Sequence, residues 1–500
     1  MKTDKVRHFA LPVAAVLSFA LAIAAINPVG YLGGGGDDWQ YLEAARCAVA
    51  EGFCLPESHW AARWPIVLPT AAAILLGETR AAISLVPLVY GLVGIVLFTA
   101  TLARRFGRIE ALIGGLALVA TPIVGGQLTA LNIASLEFCF VIAAIFCLQS
   151  AIRGHGRRWA IGAGVLLGLA ILARATSLAL VPIAVIAFAL LPSAHCRLAL
   201  PFALGLAGLL GAEAAAYLAA TGDPFYSWKL ALGHSRLETS ELAAGVDRGA
   251  SPLFNPDFIA GWPRAMGIRV HWTIDAALNL LADPRIGMTL VAALALLVLK
   301  RRDVGRGRAA GRIPAILVAL AALYFGALTY GLAIDPTPRM FLPVAAAGAA
   351  IVGILGGQIG RGAARAALAL TLTLMTLVTA AHAYEAFDIA RIESAAARWA
   401  AEGRDRMAVD ETARRVLTLV SAVRRLPAHP AVGRDRRMLI ARDRCQAAST
   451  DHGFWSLVRS HRFAPQDPLH LRGVLLGAGE AFALCEYARA QVPNGSSERY

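Results

Sequence analysis

Charge is what this sequence has least of. Only 16% of its 500 residues are Asp, Glu, Lys or Arg, against about 25% in a soluble globular protein. Lysine is scarcest of the four, with Lys2, Lys5, Lys229 and Lys300 the whole complement. Disordered chains need the opposite balance, high charge with few apolar side chains, so disorder is excluded. Glycine does not recur at every third position and no heptad is sustained, which excludes a collagen-like rod and a coiled coil. His-x-x-x-His is missing, as is any carboxylate cluster at ligand spacing, so nothing in the sequence demands a metal.

What is there is apolar. Hydrophobic residues make up 57% of the chain, and the mean hydropathy is +0.60. A chain so poor in charge cannot solubilise its whole surface, so the composition implies a polytopic α-helical membrane protein. The formal net charge is +14. In a soluble protein that would suggest a nucleic-acid partner; in a membrane protein it reflects basic cytoplasmic loops. The abundance of Ala, Gly and Arg points to a bacterial chain, and hence to the inner membrane.

A helix crossing about 30 Å of hydrocarbon needs roughly 17–25 apolar residues. Runs of that kind lie at about 9–32, 81–103, 109–130, 132–152, 159–173, 177–192, 199–220, 286–299, 313–334, 340–357 and 363–383, about eleven in all. The run 66–76 is too short to cross and reads as a surface or re-entrant piece. Lys2, Lys5 and Arg7 place the N-terminus in the cytoplasm. With eleven crossings, Arg104, Arg105 and Arg108 fall inside, as do Arg153, Arg157 and Arg158 and the cluster from Lys300 to Arg312. The first run reads as a retained helix rather than a cleaved signal peptide.

That arrangement divides the chain into a transmembrane domain, 1–383, and a C-terminal periplasmic domain, 384–500. The second is expected to be mainly helical, with amphipathic stretches such as 405–425. Outer loops fall at about 33–65 and 221–285. Cys47 and Cys54 lie in the first outer loop, and Cys445 and Cys485 in the tail. Disulfides persist outside the cytoplasm, so two bridges on this face fit; whether they form stays open at this point.

The most informative stretch is 33–46, GGGGDDWQYLEAAR. Asp38 can cap a helix running through Ala50, with Trp39, Leu42 and Ala45 towards the membrane and Gln40 and Glu43 towards water. Asp37 is then free to project into a cavity at the membrane surface. Basic residues gather on the same face: Arg63, Arg174 and Arg339 all fall at outer ends of apolar runs. An Arg near hydrocarbon is costly unless paired or snorkelling. Three together beside an acidic loop favour an anion site, because a guanidinium fork matches phosphate oxygens. Glu213, inside the seventh run, is an intramembrane acid and a further candidate. His59, His234 and His271 read as surface residues. Tyr226, Trp228, Trp262 and Trp272 read as part of an interfacial belt or as substrate contacts.

The pattern Asp37-Asp38-x-x-Tyr41-x-x-x-Ala45 in the first outer loop resembles the GT-C glycosyltransferases, integral membrane enzymes that use a polyprenyl-phosphate sugar. Within them it is similar to the protein O-mannosyltransferases and the lipid A aminoarabinose transferases. HWAARWP, His59 to Pro65, resembles the family's Lys/Arg-Pro-Pro, with Trp64 in place of the first proline. AILARATSLALVP, Ala170 to Pro182, resembles its Thr-Arg-Pro-Thr stretch, with Ala175 in place of proline. GDPF at 222–225 and PRMFLP at 338–343 resemble two later motifs. The resemblance spans roughly residues 30–345. It implies a GT-C-like fold and makes Asp37 the general base on the acceptor. It makes Asp38, Tyr41, Arg63, Glu137, Arg174 and Arg339 substrate-binding, with Glu137 standing in for the family's acid at the start of the fourth span.

The implied reaction moves one monosaccharide from polyprenyl (undecaprenyl) phosphate to a periplasmic acceptor: lipid A, a glycan or a protein. One-step displacement inverts the anomeric centre. The leaving phosphodiester oxygen is weakly basic, so no general acid, cofactor or divalent metal is required. The expected partners are the lipid-linked sugar and membrane lipid, with no nucleic acid. A flippase or transporter is the alternative, as is a non-catalytic envelope-assembly protein. Transporter sites lie near the bilayer midplane between repeated halves, whereas these charges gather at one surface and no repeat is visible.

Overall fold

The computed structural model describes residues 2–28, 37–189, 196–231, 272–300, 309–331, 338–360, 362–383, 389–403, 406–417, 419–426, 435–442, 445, 449–450, 453–464 and 482–489. The glycine run at 33–36, His234, Trp262 and His271 lie outside the described residues, as does most of the second outer loop.

Helices occupy every apolar run. They are α1 (Lys2–Ile26), α2 (Asp37–Glu51), α3 (Trp64–Leu76), α4 (Arg80–Arg105), α5 (Arg108–Val119), α6 (Ile133–Ser150), α7 (Arg157–Ala173), α8 (Leu180–Ala189), α9 (Ala199–Thr221), α10 (Trp272–Ala282), α11 (Gly287–Leu299), α12 (Ala309–Gly326), α13 (Leu342–Gly356) and α14 (Ala363–Ala383). Among the described residues, six are long and apolar enough to cross a membrane. A seventh crossing is available if the segments Ala276–Ala282 and Gly287–Leu299, bent by 100° at their break, count as one span. The chain is therefore a mostly helical protein with six to seven clear apolar spans. The short run after residue 64 forms α3, which is too short to cross, as expected.

Polar caps set the registers that matter. Thr79 opens α4 by accepting from the Ala82 amide at 3.2 Å. Asn132 opens α6 by accepting from the Ala134 and Ser135 amides, at 2.9 and 3.3 Å. Without an apolar driving force in lipid, bundles close through small residues. A Cβ on Gly164 of α7 would stand 2.0 Å from the Phe202 carbonyl, and one on Gly205 of α9 would stand 2.1 Å from that of Ile161. The α7–α9 contact thus requires glycine on both sides. The main core joins Val16 and Ala20 of α1, Ile95 of α4, Leu118 of α5 and Ile354 of α13.

The described basic loop residues Arg104, Arg153 and Lys300 collect at one end of the bundle. Arg153 donates to the Arg104 carbonyl at 2.8 Å, and Lys300 to that of Gln358 at 3.3 Å. Arg63, Arg174 and Arg339 stand at the other.

The tail corrects the expectation of a mainly helical domain. After α15 (Ile389–Glu402) it forms a five-stranded sheet: β1 (Met407–Val409), β2 (Arg436–Arg442), β3 (Ser449–Thr450), β4 (Gly453–Phe463) and β5 (Phe482–Arg489), in spatial order β1-β2-β5-β4-β3. The β1–β2 pair is parallel and the others antiparallel. The stretch 405–425 is broken into β1 and two short helices, α16 (Glu411–Val416) and α17 (Ser421–Arg424). The reason is burial. Central β5 is covered on both faces from Ala483 to Tyr487, so its sequence shows no alternation to read. It even buries Glu486, held by Arg436 at 2.7 Å and Arg459 at 2.8 Å. Helix α15 lays Ile392, Ala396 and Trp399 on Met407, Met438 and Leu484. Both disulfides form: Cys47–Cys54 and Cys445–Cys485.

Among the described residues, the tail meets the bundle at Arg80 and through Leu419. Arg80, the first of α4, pairs with Glu393 of α15 at 2.7 Å and donates to the Val416 carbonyl at 3.0 Å. Leu419 packs against the core around Tyr41 and Leu42.

Candidate active site

Helix α2 starts at Asp37, so Asp38 stands in its first turn and is not the cap expected from sequence. The buried face runs through Asp38, Tyr41, Leu42 and Ala45, the i, i+3, i+4, i+7 stripe of an amphipathic helix. Trp39 is only half-buried. Asp37 sits at the edge of that stripe and keeps 17% of its side chain exposed.

Arg63 ends the turn that leads into α3. Its carbonyl accepts from the Ile66 and Val67 amides at 3.0 and 3.1 Å, which fixes the helix start. Trp64, where the resemblance led one to expect a proline, is the first residue of α3. Its indole donates to the Tyr217 hydroxyl at 2.8 Å and its ring stacks on Phe53. Arg63 donates to the Tyr41 hydroxyl at 2.5 Å and lies 3.9 Å from the Asp37 carboxylate.

Arg339 comes from the far end of the sequence, in the single 3-10 turn Pro338–Phe341 before α13. Its Nη2 stands 2.9 Å from Asp37 Oδ2. Arg174 follows directly after α7, in extended backbone at φ −151°, ψ 117°. That break turns its side chain inward, where Nη1 meets Glu137 Oε2 at 2.7 Å and the Arg339 carbonyl at 2.9 Å. Glu137 is fully buried and accepts from Ser177 Oγ at 2.6 Å.

The polar groups thus form one chain, from Ser177 through Glu137 and Arg174 to the backbone of Arg339, then through its side chain to Asp37, Arg63 and Tyr41. Two carboxylates, Asp37 and Glu137, meet three guanidinium groups. The excess positive charge suits an anion.

Asp38 is different. It is only 7% exposed, and its Oδ1 has no hydrogen-bond partner. Burial pushes its carboxyl up to about 7, against the pull of backbone amides. Burial also raises the Tyr41 phenol, although Arg63 opposes this.

All seven sequence-derived residues fall in this region. Asp37, Arg63, Tyr41 and Arg339 touch or face one another, Glu137 and Arg174 brace them from beneath, and Asp38 is buried beside them, within electrostatic reach of Arg80. Ser177 escaped the sequence reading. Its only signal was a hydroxyl three residues past a basic residue at a helix end. Glu213 accepts from Ser227 at 2.9 Å and lines a small hollow with Arg63, His59 and Trp228.

Beside the cluster opens an apolar groove of about 370 Å³ between α4, α6, α8, α12 and α13. At the cluster end it is lined by Tyr324 and Pro343, and Tyr324 donates to the Met340 carbonyl at 3.2 Å. At the basic end it reaches Arg105 and Ile354. Cys47, Glu51 and Cys54 lie close enough together for a metal ion. Their two sulfurs are bonded to each other, however, and cannot serve as thiolates.

No curated protein sequence matches the chain. Two crystal structures of ArnT from Cupriavidus metallidurans align with 86% of this chain and 92% of theirs. The apo form gives 19% identity and a TM-score of 0.38, and the form bound to undecaprenyl phosphate gives 17% and 0.39. Residues 62–216 match the family model of the dolichyl-phosphate-mannose-protein mannosyltransferases. That stretch carries Arg63, Glu137 and Arg174, so the part of the chain that supports the site from beneath is similar in sequence to GT-C glycosyltransferases.

Proposed function

We propose that the chain is an inverting glycosyltransferase that moves a monosaccharide from a polyprenyl phosphate to an acceptor on the outer face of the bacterial inner membrane. The observation that carries this reading is the convergence of Asp37, Arg63 and Arg339, with an apolar groove whose Tyr324 end comes within electrostatic reach of Glu137 and Arg174 beneath them. A lipid-linked sugar needs those parts: a slot for part of an isoprenoid chain, cations for its phosphate, and a carboxylate where the sugar meets the acceptor. One of the matched ArnT structures holds undecaprenyl phosphate, which names the donor class tested first. The reading includes the topology: eleven crossings, the basic loops in the cytoplasm, and residues 384–500 in the periplasm.

In the proposed reaction Asp37 accepts the proton of an acceptor hydroxyl or amine. The acceptor heteroatom bonds to the anomeric carbon as the bond from that carbon to the phosphate oxygen breaks. The electron pair leaves on the phosphate, and Arg63 and Arg339 stabilise it there. Arg174 and Glu137 work through the backbone, holding the carbonyl of Arg339 so that its side chain reaches the site. No step requires a metal.

The test is transfer of labelled sugar from polyprenyl phosphate in proteoliposomes. Asp37→Asn is expected to lower the rate by about 10²–10⁴-fold while donor binding stays nearly intact. A wild-type rate in that variant removes Asp37 as the base. An unconsumed panel of polyprenyl-phosphate sugars removes the enzyme reading itself and favours a flippase, which would move the donor across vesicles without cleaving it.

A further inference from the structure

The tail holds a second collection of cations that the transfer chemistry leaves unused. Between α15 and β4 lies a hollow of about 340 Å³ lined by Arg391, Ser394, Ala395, Arg398, Trp399, His461 and Phe463. Helical spacing puts Arg391, Ser394 and Arg398 on one face of α15, and strand alternation puts His461 and Phe463 on one face of β4. The floor is aromatic and fixed. Phe463 and Trp399 are buried, the His461 ring meets Phe463 edge-on at 4.5 Å, and the Arg391 guanidinium lies 5.7 Å from the Phe463 ring centre.

Among the described residues, the lining contains no acid. Of the described carboxylates on the same elements and the neighbouring strand, Glu393 pairs with Arg80, and Glu402 and Glu486 pair with Arg459. Arg459 itself covers the other part of Trp399, 4.2 Å from its ring. Arg391 and Arg398 are exposed at the rim. A fixed aromatic floor suits the C–H face of a sugar ring, and paired guanidinium groups suit a phosphate or carboxylate. The volume is in the range of small-molecule sites.

We propose that this hollow binds an anionic sugar, one carrying a phosphate or carboxylate group. As the first contact for an anionic acceptor glycan, its role rests on the transferase reading above. The binding itself does not.

The experiment uses the full chain in a neutral polyoxyethylene detergent. Calorimetry measures glucose 6-phosphate, glucuronate, glucose and inorganic phosphate. The series is repeated on an Arg339→Ala chain, so that binding at the bundle's own arginines is counted separately. At least one anionic sugar is expected to bind about tenfold or more tightly than either glucose or phosphate alone. Arg391→Ala and Arg398→Ala are each expected to weaken it by about tenfold, and Arg398→Glu to abolish it. Arg398→Lys should keep most of it. Both arginines are exposed, so an unchanged melting temperature verifies that the domain is intact. The proposal falls if neither anionic sugar binds, if the variants bind like wild type, or if phosphate alone equals the sugar phosphate. It also falls if phosphatidylglycerol nanodiscs, and not phosphatidylcholine ones, block the sugar, because the hollow then serves lipid headgroups. A chain that binds anionic sugar but transfers nothing loses the transferase reading and keeps this site. An active transferase with unaltered binding in the variants does the reverse.

Discussion

Two arginine–carboxylate pairs lie within one hydrogen-bonded chain, and they are built for different work. Arg174 and Glu137 are almost wholly buried, 2.7 Å apart, with Ser177 and the Arg339 carbonyl as further partners. Arg339 and Asp37 are 2.9 Å apart, but Arg339 keeps 37% of its side chain exposed. The buried pair has nowhere to go and nothing to meet. The half-open pair can trade its partner for a ligand. Charge type and distance are alike in the two; access to solvent separates scaffold from chemistry.

The sharpest way to break that comparison is to cut the buried pair. Glu137→Ala strands the Arg174 guanidinium in a dry site, and such losses run to about 3–5 kcal/mol. A large fall in melting temperature, with poor recovery from membranes, is expected. Glu137→Gln, which still accepts from Ser177, should lose less. Equal stability of Glu137→Ala and wild type would mean the pair is not structural.

Asp38 offers a test of intermediate size. Its carboxyl stands at about 7 in the fold against 3.8 unperturbed, with burial as the leading cause. Between those values the folded chain keeps a proton that the unfolded chain releases. Stability therefore falls as pH rises from about 4 to about 7 and levels off beyond, by a span of up to about 4 kcal/mol. Melting temperatures at pH 5 and pH 8 should differ more for wild type than for Asp38→Asn. Parallel profiles would show that Asp38 titrates normally.

The smallest expected effect lies at the contact between the tail and the bundle. Glu393→Gln removes the charge opposite Arg80 but keeps an acceptor, and Glu393 is a quarter exposed. A loss of about 1 kcal/mol is expected, with tail proteolysis as the more sensitive readout. No change in cleavage rate would assign the docking to Leu419 and the Val416 carbonyl instead.

Much of the bundle was legible because lipid imposes long apolar runs, and the caps Thr79 and Asn132 are ordinary helix openers. The convergence of Asp37, Arg63 and Arg339 was legible as well, since each stands at the same end of its helix. The inward turn of Arg174 was not: it depends on one extended residue between two helical segments, with no proline or glycine to announce it. The role of Asp38 was misread because a two-residue shift in the helix start, from 39 to 37, moves a side chain from cap to buried stripe. The tail was misread for a different reason. Strands such as 482–489 are largely covered on both faces, and Arg436 is held by a buried glutamate that lies fifty positions further on. Local pattern carries no trace of either.

The bridge between Cys47 and Cys54 ties the exit of α2 to the turn that leads towards Arg63. The proposed base and one of its cations therefore sit on opposite arms of a covalent clasp. Chains that mature without an oxidant would carry these arms untied, and a purified sample containing both kinds of molecule would report a turnover averaged over the two. Counting free thiols at these two positions is then as much a part of assaying the proposed activity as weighing the protein.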